Sequence, residues 1–308
     1  MVKVPAIRAL PIPRAGLATT SCPCPMCVDL HTHSVYSDGS ATPAELIELA
    51  ALNRLRGVAL TDHDTVEGVA EFLQLGEQAG LTALSGVEVS CSLRQHTLHM
   101  LGYGIDHTDP ELHAWLAPLQ SGRARRNEVI LDKLRNLGVP ISAEEVARIS
   151  RCGQTGRPHI ARLLMEKGVV DTFEAAFRLF LGRNKPAWER RFSYGAVETI
   201  AMIHRFGGIA VLAHPGQLDP EMRLQPLIIR ELAGRGLDGI EVYYPTHTRK
   251  TVKKLRAAAA ANDLLMTGGS DYHGATRPLH PMAGDGRGIR PPASLLDGVQ
   301  ARLNGRHR

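Results

Sequence analysis

A short stretch near the start of the sequence, VDLHTHSVYSDG, carries residue types that bind metal ions. His31 and His33 are separated by one residue, and Asp38 follows His33 by five positions. Side chains two positions apart on a β-strand point to the same face, so these two imidazoles can hold one ion together. Taken alone, the stretch is equally compatible with a strand that happens to carry polar residues.

Further metal-competent side chains recur where predicted strands end. They are His63 in LTDHD, Glu88 in SGVEVS, His99 in LHMLGYG, His214 in LAHPG, and Asp271 and His273 in GGSDYH. A chance arrangement would leave many imidazoles and carboxylates buried without partners, and metal coordination removes that energetic cost. The candidates exceed the needs of one ion, so we predict two or three ions. Mixed imidazole and carboxylate ligands favour Mn, Fe or Zn over Ca.

The elements that must position these residues alternate between β-prone runs and helical patterns. In TPAELIELAALNRLRG, Thr42 is a suitable N-cap, Pro43 suits the first helical position and Glu45 completes a capping box. Seven predicted strands alternate with helices, which predicts an α/β protein with a parallel sheet. That number of strands favours a closed β/α barrel, whose strands share one rim at their carboxyl ends.

One region interrupts the alternation. Residues 107–193 show helical patterns only, which predicts a small helical subdomain inserted after the fourth strand. We therefore predict barrel segments at 28–106 and 194–308, and a flexible N-terminal extension at 1–27. The extension contains Cys22, Cys24 and Cys27, whose C-x-C-x-x-C spacing suits a structural or redox role but lacks a second ligand pair.

Composition narrows the classes of function. The chain has 308 residues and a formal net charge of +5, without a Lys/Arg block typical of nucleic-acid binding. This mild positive charge fits a phosphorylated substrate, and binding of duplex DNA is not expected. No apolar run approaches the ~18 residues of a transmembrane helix, so no membrane association is expected. An odd number of cysteines, five, disfavours a secreted disulfide framework and favours the cytoplasm.

Several of these motifs together resemble a known family. DLHTHSVYSDG, LTDHDT, GVEVS, AHP and GGSDYH are similar to the motifs of the polymerase-and-histidinol-phosphatase (PHP) family of metallophosphoesterases, over about residues 28–290. The resemblance implies a distorted (β/α)7 barrel with a trinuclear metal site. The helical insertion with GRPHIA resembles one subgroup, which contains nucleoside 3′,5′-bisphosphate phosphatases and 5′-to-3′ exoribonucleases of the RNase AM type.

The resemblance also implies how the ligands divide among three ions. The first ion would take His31, His33, Glu88 and Asp271, the second would share Glu88 and add His99 and His214, and the third would take Asp38, His63 and His273. Manganese is the expected metal, with Fe, Zn or Mg as alternatives. Such ions make hydroxide available at neutral pH for attack on phosphorus, so all nine residues are predicted to be catalytic.

Other residues are candidates for binding the non-reacting part of the substrate. Arg157 and His159 in GRPHIA are predicted to bind a second phosphate, since arginine can donate two parallel hydrogen bonds to it. In the alternative, Arg157 caps a helix and His159 packs inside the subdomain. Arg126, with its neighbour Arg123, and Lys185 are candidates for additional positive charge.

Two further sets of residues lie near predicted strand ends. Tyr243, Tyr244 and His247 in EVYYPTH follow the sixth predicted strand, where a base could stack, and plain packing is the alternative. Asp64 follows His63 and is a candidate for orienting a metal ligand.

These observations favour a metal-dependent phosphoesterase that acts on small phosphorylated nucleotides or short RNA. The expected reactions are removal of the 3′-phosphate from nucleoside 3′,5′-bisphosphates (pAp to AMP) and 5′-to-3′ trimming of 5′-phosphorylated RNA. A histidinol-phosphate phosphatase is an alternative, although the helical insertion argues against it. Amidohydrolases also use H-x-H but typically bridge their metals with a lysine, and none lies near Glu88. A non-catalytic metal-binding module is the last alternative, although no ligand position is lost.

Overall fold

The computed structural model describes residues 27–150, 155–219 and 221–306, so only Cys27 of the predicted N-terminal extension is among them. The chain folds as an α/β protein. Its described strands are β1 (Val28–Thr32), β2 (Gly57–Leu60), β3 (Thr82–Leu84), β4 (Gly86–Leu93), β5 (His96–Tyr103), β6 (Tyr194–Gly195), β7 (Ile209–Leu212), β8 (Gly239–Tyr243) and β9 (Leu265–Gly268).

Helices connect most of these strands. They are α1 (Pro43–Leu52), α2 (Val69–Gln78), α3 (Pro110–Asn136), α4 (Ala143–Ile149), α5 (Arg157–Glu166), α6 (Phe173–Ala176), α7 (Ala196–Arg205), α8 (Gln225–Ala233), α9 (Arg249–Ala261) and α10 (Ser294–Arg306). Helix α6 continues directly into a wider π-helical turn at Phe177–Leu181. Among the described residues, none of the helices combines the length and apolar character that a transmembrane span requires.

The strands form two sheets, and the larger sheet is mixed. Strands β1, β2 and β3 are parallel, while the second sheet has the order β6-β4-β5-β7-β8-β9. Strand β5 runs antiparallel to both β4 and β7, so the prediction of a purely parallel sheet is wrong. The physical reason is the connection: only Arg94 and Gln95 separate β4 from β5, and a parallel crossover needs a dozen or more residues.

The two sheets approach each other where the candidate ligands lie. Isolated bridges join Thr32 to Tyr272 and His63 to Glu88. Single bridges therefore link the end of β1 to the residues after β9, and the residues after β2 to β4, and the described strands form no continuous closed ladder of hydrogen bonds.

Helix α1 begins as its sequence predicts. The Thr42 side chain accepts a hydrogen bond from Glu45 N at 3.2 Å, and the Glu45 side chain accepts one from Thr42 N at 2.7 Å. With Pro43 in the first turn, this is a complete capping box. Leu46 and Ala50 of this helix are buried in the main apolar core.

The strands are buried on both faces, as expected for a sheet covered by helices. On β7, Ile209 and Val211 belong to an apolar cluster shared with helix α10, whereas Ala210 and Leu212 belong to the larger core cluster. The helical stretch from α3 to α6 has an apolar cluster of its own, which includes Ile130, Leu134, Ile160 and Leu164. The ligand-bearing strand ends are therefore held between rigid, separately packed layers.

Candidate metal centre

The carboxyl ends of β1 and β9, together with the start of β4, bring four of the predicted ligands together. His31, His33, Glu88 and Asp271 are buried, and each offers a ligand atom within 4.8 Å of the others. The Nε2 atoms of His31 and His33 are 3.1 Å apart. His33 Nε2 lies 3.1 Å from Asp271 Oδ1 and 3.3 Å from Glu88 Oε2. These are the four residues that the family resemblance implies for one ion.

A second group lies on the Asp38 side of His33. Asp38, His63 and His273 are grouped with His33, which thus belongs to both groups. His273 Nε2 is 3.0 Å from Asp38 Oδ1, and His63 Nε2 is 3.8 Å from Asp38 Oδ2. The imidazoles of His33 and His273 stack with ring centroids 4.2 Å apart.

The third group is centred on Glu88. His99 Nδ1 and His214 Nε2 lie 2.8 Å and 3.0 Å from Glu88 Oε1. His63 Nδ1 is 2.7 Å from Glu88 Oε2, and His63, Glu88 and His99 form a potential ion site. Glu88 therefore contacts imidazoles of all three groups, which is the position of a bridging ligand.

Four donor atoms of the centre have no hydrogen-bond partner. Asp38 Oδ1, His63 Nδ1, Glu88 Oε2 and His273 Nε2 are buried and have no hydrogen-bond partner, although they lie close to one another. A buried polar atom without a partner costs ~1–3 kcal/mol, and more if it is charged. Divalent ions bound by these imidazoles and carboxylates would satisfy the same atoms, so the residues fit a metal centre.

The environment favours the metal-binding protonation state at His33, His99 and Glu88. At His31 and His63, in contrast, burial is outweighed by neighbouring carboxylates, which raise the pKa. Burial, followed by the neighbouring His273, lowers the pKa of His33 to about 3. Burial also lowers the pKa of His99 to about 4. Burial opposes ionisation of Glu88, but the imidazoles of His63 and His99 outweigh it and hold the pKa of Glu88 well below its usual value. Neutral imidazoles and ionised carboxylates are the forms that bind metals.

Unusual backbone conformations direct side chains at three strand ends. Asp64, His214 and Asp271 have φ values of 57°, 28° and 52°, in the left-handed region that non-glycine residues rarely adopt. They follow β2, β7 and β9. Each such residue costs on the order of 1–3 kcal/mol and persists only where the surrounding structure enforces it.

Several residues that the sequence did not single out orient the ligands. Glu241 Oε1 lies 3.0 Å from His31 Nδ1, which leaves His31 Nε2 for a metal, and Glu241 Oε2 accepts from His214 N at 2.7 Å. Arg277 donates to Asp271 Oδ2 at 2.6 Å. Glu241 was detectable as a charged residue inside the apolar strand GIEVY, whereas Arg277 carries no comparable signal.

A cleft of about 730 Å³ opens beside His99, one of the predicted ligands. Arginines dominate its lining: Arg126, Arg157, Arg183, Arg190 and Arg191. One carboxylate also lines it, that of Glu189, and Lys133 already pairs with it at 2.7 Å. The cleft is therefore suited to an anion, and the rings of Phe177 and Trp188 in its wall add apolar surface.

Within this cleft, Arg157 lies over the ring of Phe177, with its Cζ atom 5.7 Å from the centroid. Its Nη1 donates to Leu181 O at 3.2 Å. Leu181 is the last residue of the π-helical turn Phe177–Leu181, so the guanidinium caps that turn, as in the capping alternative. His159 is buried, and its Nδ1 accepts from Gly156 N at 3.1 Å, as in the packing alternative. Lys185 is exposed and is not among the residues that line the cleft.

Asp64 links the metal centre to the arginines. Its buried carboxylate accepts from Arg123 Nη2 at 2.8 Å, Arg191 Nη1 at 2.9 Å and Ser90 N at 2.8 Å. Its backbone N donates to Glu88 O at 3.0 Å. The carboxylate thus orients arginines, whereas the sequence suggested that it orients a metal ligand. Arg191 is a further residue that the sequence analysis missed.

The aromatic residues after β8 are engaged with the protein. Tyr244 is 2% exposed, and its hydroxyl donates to Asp271 Oδ2 at 2.8 Å. His247 accepts from Gly216 N through Nε2 at 3.1 Å, and its Nδ1 lies 2.9 Å from Val242 O. Tyr243 packs partly buried against the core. These contacts favour packing and ligand support over base stacking for this set.

Of the three clustered cysteines, Cys22 and Cys24 lie outside the described residues. Cys27 is buried, and burial raises the pKa of its thiol.

Comparison with known families and proteins gives consistent matches. The PHP domain family matches residues 29–175. A 3′,5′-nucleoside bisphosphate phosphatase of Chromobacterium violaceum is 34% identical, over 80% of this chain and 87% of that protein. A 5′-3′ exoribonuclease of Haemophilus influenzae is 33% identical, over 80% of this chain and 89% of that protein.

Two further matches extend the comparison. A phosphoribosyl 1,2-cyclic phosphate 1,2-diphosphodiesterase of Eggerthella lenta is 33% identical, over 81% of this chain and 95% of that protein. Among solved structures, one described as a metal-dependent phosphoesterase from Bifidobacterium adolescentis superimposes with a TM-score of 0.80 at 31% identity. That match covers 89% of this chain and 96% of the other.

Proposed function

This chain belongs to the PHP family, and from that premise we propose that it is a metal-dependent phosphoesterase of nucleotides. Its reactions are removal of the 3′-phosphate from nucleoside 3′,5′-bisphosphates and 5′-to-3′ trimming of short 5′-phosphorylated RNA. Both substrates carry one phosphate to be hydrolysed and a second phosphate nearby.

One observation carries this proposal: buried donor atoms without partners lie beside an arginine-lined cleft. Asp38, Glu88 and His273 each present such an atom at the centre. His99 belongs both to that centre and to the wall of the cleft. A substrate with two phosphates can therefore place one at the centre and the other among the arginines.

We assign the nine ligand candidates to three ions, as the family resemblance implies. Three groups of donors that include eight of the nine candidates support this assignment, and His214 joins them through its 3.0 Å contact with the shared ligand Glu88. Bound there, divalent ions would supply Lewis acidity, which lowers the pKa of water and neutralises charge on phosphate oxygens. Manganese is the proposed metal, because the donor set mixes imidazoles with carboxylates.

The chain's own residues hold the substrate and the ligands in place. Arg157 and Arg126 bind the second phosphate from the cleft through charge-assisted hydrogen bonds. Asp64 holds Arg123 and Arg191 at the boundary between cleft and centre. Glu241 holds His31 in the orientation that presents Nε2.

We also propose how the chain divides into a barrel and an inserted subdomain. We treat segments 28–106 and 194–308 as parts of one distorted (β/α)7 barrel, supported by the bridges Thr32–Tyr272 and His63–Glu88. Residues 107–193 form the inserted substrate-binding subdomain, which is supported by the separate apolar cluster of α3–α6 and by the arginines it contributes to the cleft.

A substrate panel with the manganese-loaded protein tests this function. Initial rates are measured on pAp, a 5′-phosphorylated RNA trimer, histidinol phosphate and a phosphoribosyl 1,2-cyclic phosphate. We expect pAp and the trimer to be hydrolysed with the highest kcat/KM. Preference for histidinol phosphate or for the cyclic ester would overturn the assignment in favour of another phosphoesterase activity of the family.

A further inference from the structure

Helix α9 carries a row of positive charge that the proposed reaction centre does not use. Its first eight residues include Arg249, Lys250, Lys253, Lys254 and Arg256, and no acidic residue occurs anywhere along the helix. All five side chains are exposed. The helix is anchored by its other face, where Leu255 and Ala259 are buried.

The charge of this row is not balanced by neighbouring carboxylates. Several exposed cations elsewhere on the described surface form ion pairs, such as Arg56–Asp297, Arg162–Glu166, Arg205–Glu111 and Arg223–Glu221. In the part of the chain that the structure describes, no carboxylate oxygen lies within 4.0 Å of the five α9 cations. These five cations are therefore available to bind an external polyanion.

The row begins near the metal centre and leads away from it. The N-cap of α9, Thr248, follows His247, which accepts from the backbone N of Gly216. Gly216 is two residues beyond His214, a ligand candidate 3.0 Å from Glu88. Further along the helix, Lys254 Nζ donates to Glu221 O at 3.5 Å.

We propose that α9 binds the phosphodiester backbone of RNA beyond the bond being hydrolysed. The inference rests on the proposed function and specifies its RNA substrate. From residue 249 to residue 256 the helix rises about 10 Å, at 1.5 Å per residue. A nucleic-acid strand carries one charge per ~3.4 Å, so the row can meet about three phosphates. A nucleoside bisphosphate places its two phosphates at the metal centre and in the arginine-lined cleft, so it has no further phosphate that could contact α9.

The test is the triple substitution Lys250→Gln, Lys253→Gln and Lys254→Gln. A matched control, Arg135→Gln, Arg148→Gln and Arg205→Gln, removes the same charge from exposed positions on α3, α4 and α7. For a 5′-phosphorylated RNA 10-mer at low salt, we expect the α9 variant to lose on the order of tenfold in kcat/KM. The slope of log kcat/KM against log salt should become shallower by about 2, at ~0.7 per phosphate contact. The rate on pAp should stay within about twofold.

Three outcomes would overturn the inference. They are an unchanged rate on the 10-mer, an equal loss on pAp, or the same loss in the control variant, which would indicate a general effect of net charge. Anisotropy of a fluorescent RNA 10-mer without metal measures binding separately from hydrolysis. If the wild-type protein hydrolyses neither substrate, the proposed function fails. Weaker RNA binding by the α9 variant would still support α9 as an RNA-binding surface. Binding of wild type to anionic phospholipid vesicles, without binding to RNA, would also overturn it.

Discussion

Arg126 is a buried cation without a carboxylate partner, and its replacement should separate substrate binding from folding. The residue is 6% exposed, its Nη2 donates to Asn127 Oδ1 at 2.9 Å, and its Nε has no partner. Burial, followed by the charges of Arg191 and Arg123, lowers the pKa of Arg126. The folded protein therefore holds this charge at an energetic cost, which a phosphate in the cleft would offset.

We predict that Arg126→Met lowers kcat/KM for a nucleoside 3′,5′-bisphosphate by roughly 10- to 150-fold. The reason is that hydrogen bonds to charged groups contribute ~1.5–3 kcal/mol, and ~1.4 kcal/mol is a factor of ten. The same substitution should leave the free energy of unfolding unchanged or raise it by roughly 1 kcal/mol, since apolar replacement of buried ionic groups is often neutral or stabilising. For a chain of 308 residues the corresponding rise in Tm is about 1.5 °C, at ~2.1 cal/mol/K of unfolding entropy per residue.

The assay compares pAp with p-nitrophenyl phosphate, which has one phosphate only. Arg135→Met is the matched control, because Arg135 lies on the same helix but is exposed and paired with Asp132. The reasoning is refuted if Arg126→Met loses activity equally on both substrates. It is also refuted if the variant is destabilised by more than about 2 kcal/mol, because Arg126 would then be a structural residue.

Three further predictions concern the ligands and the fold. His33→Ala should lose bound metal, measured by elemental analysis, and nearly all activity, because His33 belongs to two of the ligand groups; retention of the full metal content would contradict this. Glu241→Gln should weaken metal affinity by roughly 10- to 100-fold through the orientation of His31, measured by competition with a chelator, and an unchanged affinity would count against the orienting role. Asp238→Asn should lower the free energy of unfolding by ~1–3 kcal/mol, because Asp238 accepts from Ala210 N and from Arg306 and lies 2.7 Å from His204 Nε2. Burial opposes ionisation of Asp238, but the contact with His204 and the hydrogen bond from Arg306 outweigh it and lower its pKa. The difference in unfolding free energy between wild type and Asp238→Asn should therefore be complete above the unfolded pKa of ~3.9 and should fade as pH falls through the lower folded pKa. A difference that does not depend on pH would refute the ionic origin.

The ligand set was accessible from the sequence because its signal is local. Most candidates follow a strand pattern, and strand ends in an α/β fold converge at one edge. Glu88 and His99 instead lie inside β4 and β5. Residue type therefore indicated the chemistry, and element order indicated the place. The same local logic predicted the capping box of α1, which the structure confirms through Thr42 and Glu45.

The errors and omissions arise where the deciding contact joins distant parts of the chain. The direction of β5 depends on a two-residue connection that periodicity does not resolve, so the sheet is mixed and not parallel. Arg191 reaches Asp64 across 127 positions, and Glu241 reaches His31 across 210. Tyr244 looked available for stacking, but folding buries it against Asp271.

The sequence by itself indicated the kind of chemistry, because so many imidazoles and carboxylates in one predicted place are costly to bury unless they bind metal. It also determined the start of helix α1, since a capping box depends only on neighbouring residues. Only the tertiary structure decided that Glu88 lies among imidazoles from three groups, that Asp64 pairs with arginines, and that Arg126 is buried in the cleft without a carboxylate partner. These relationships depend on distances between residues far apart in the chain, which no local pattern contains.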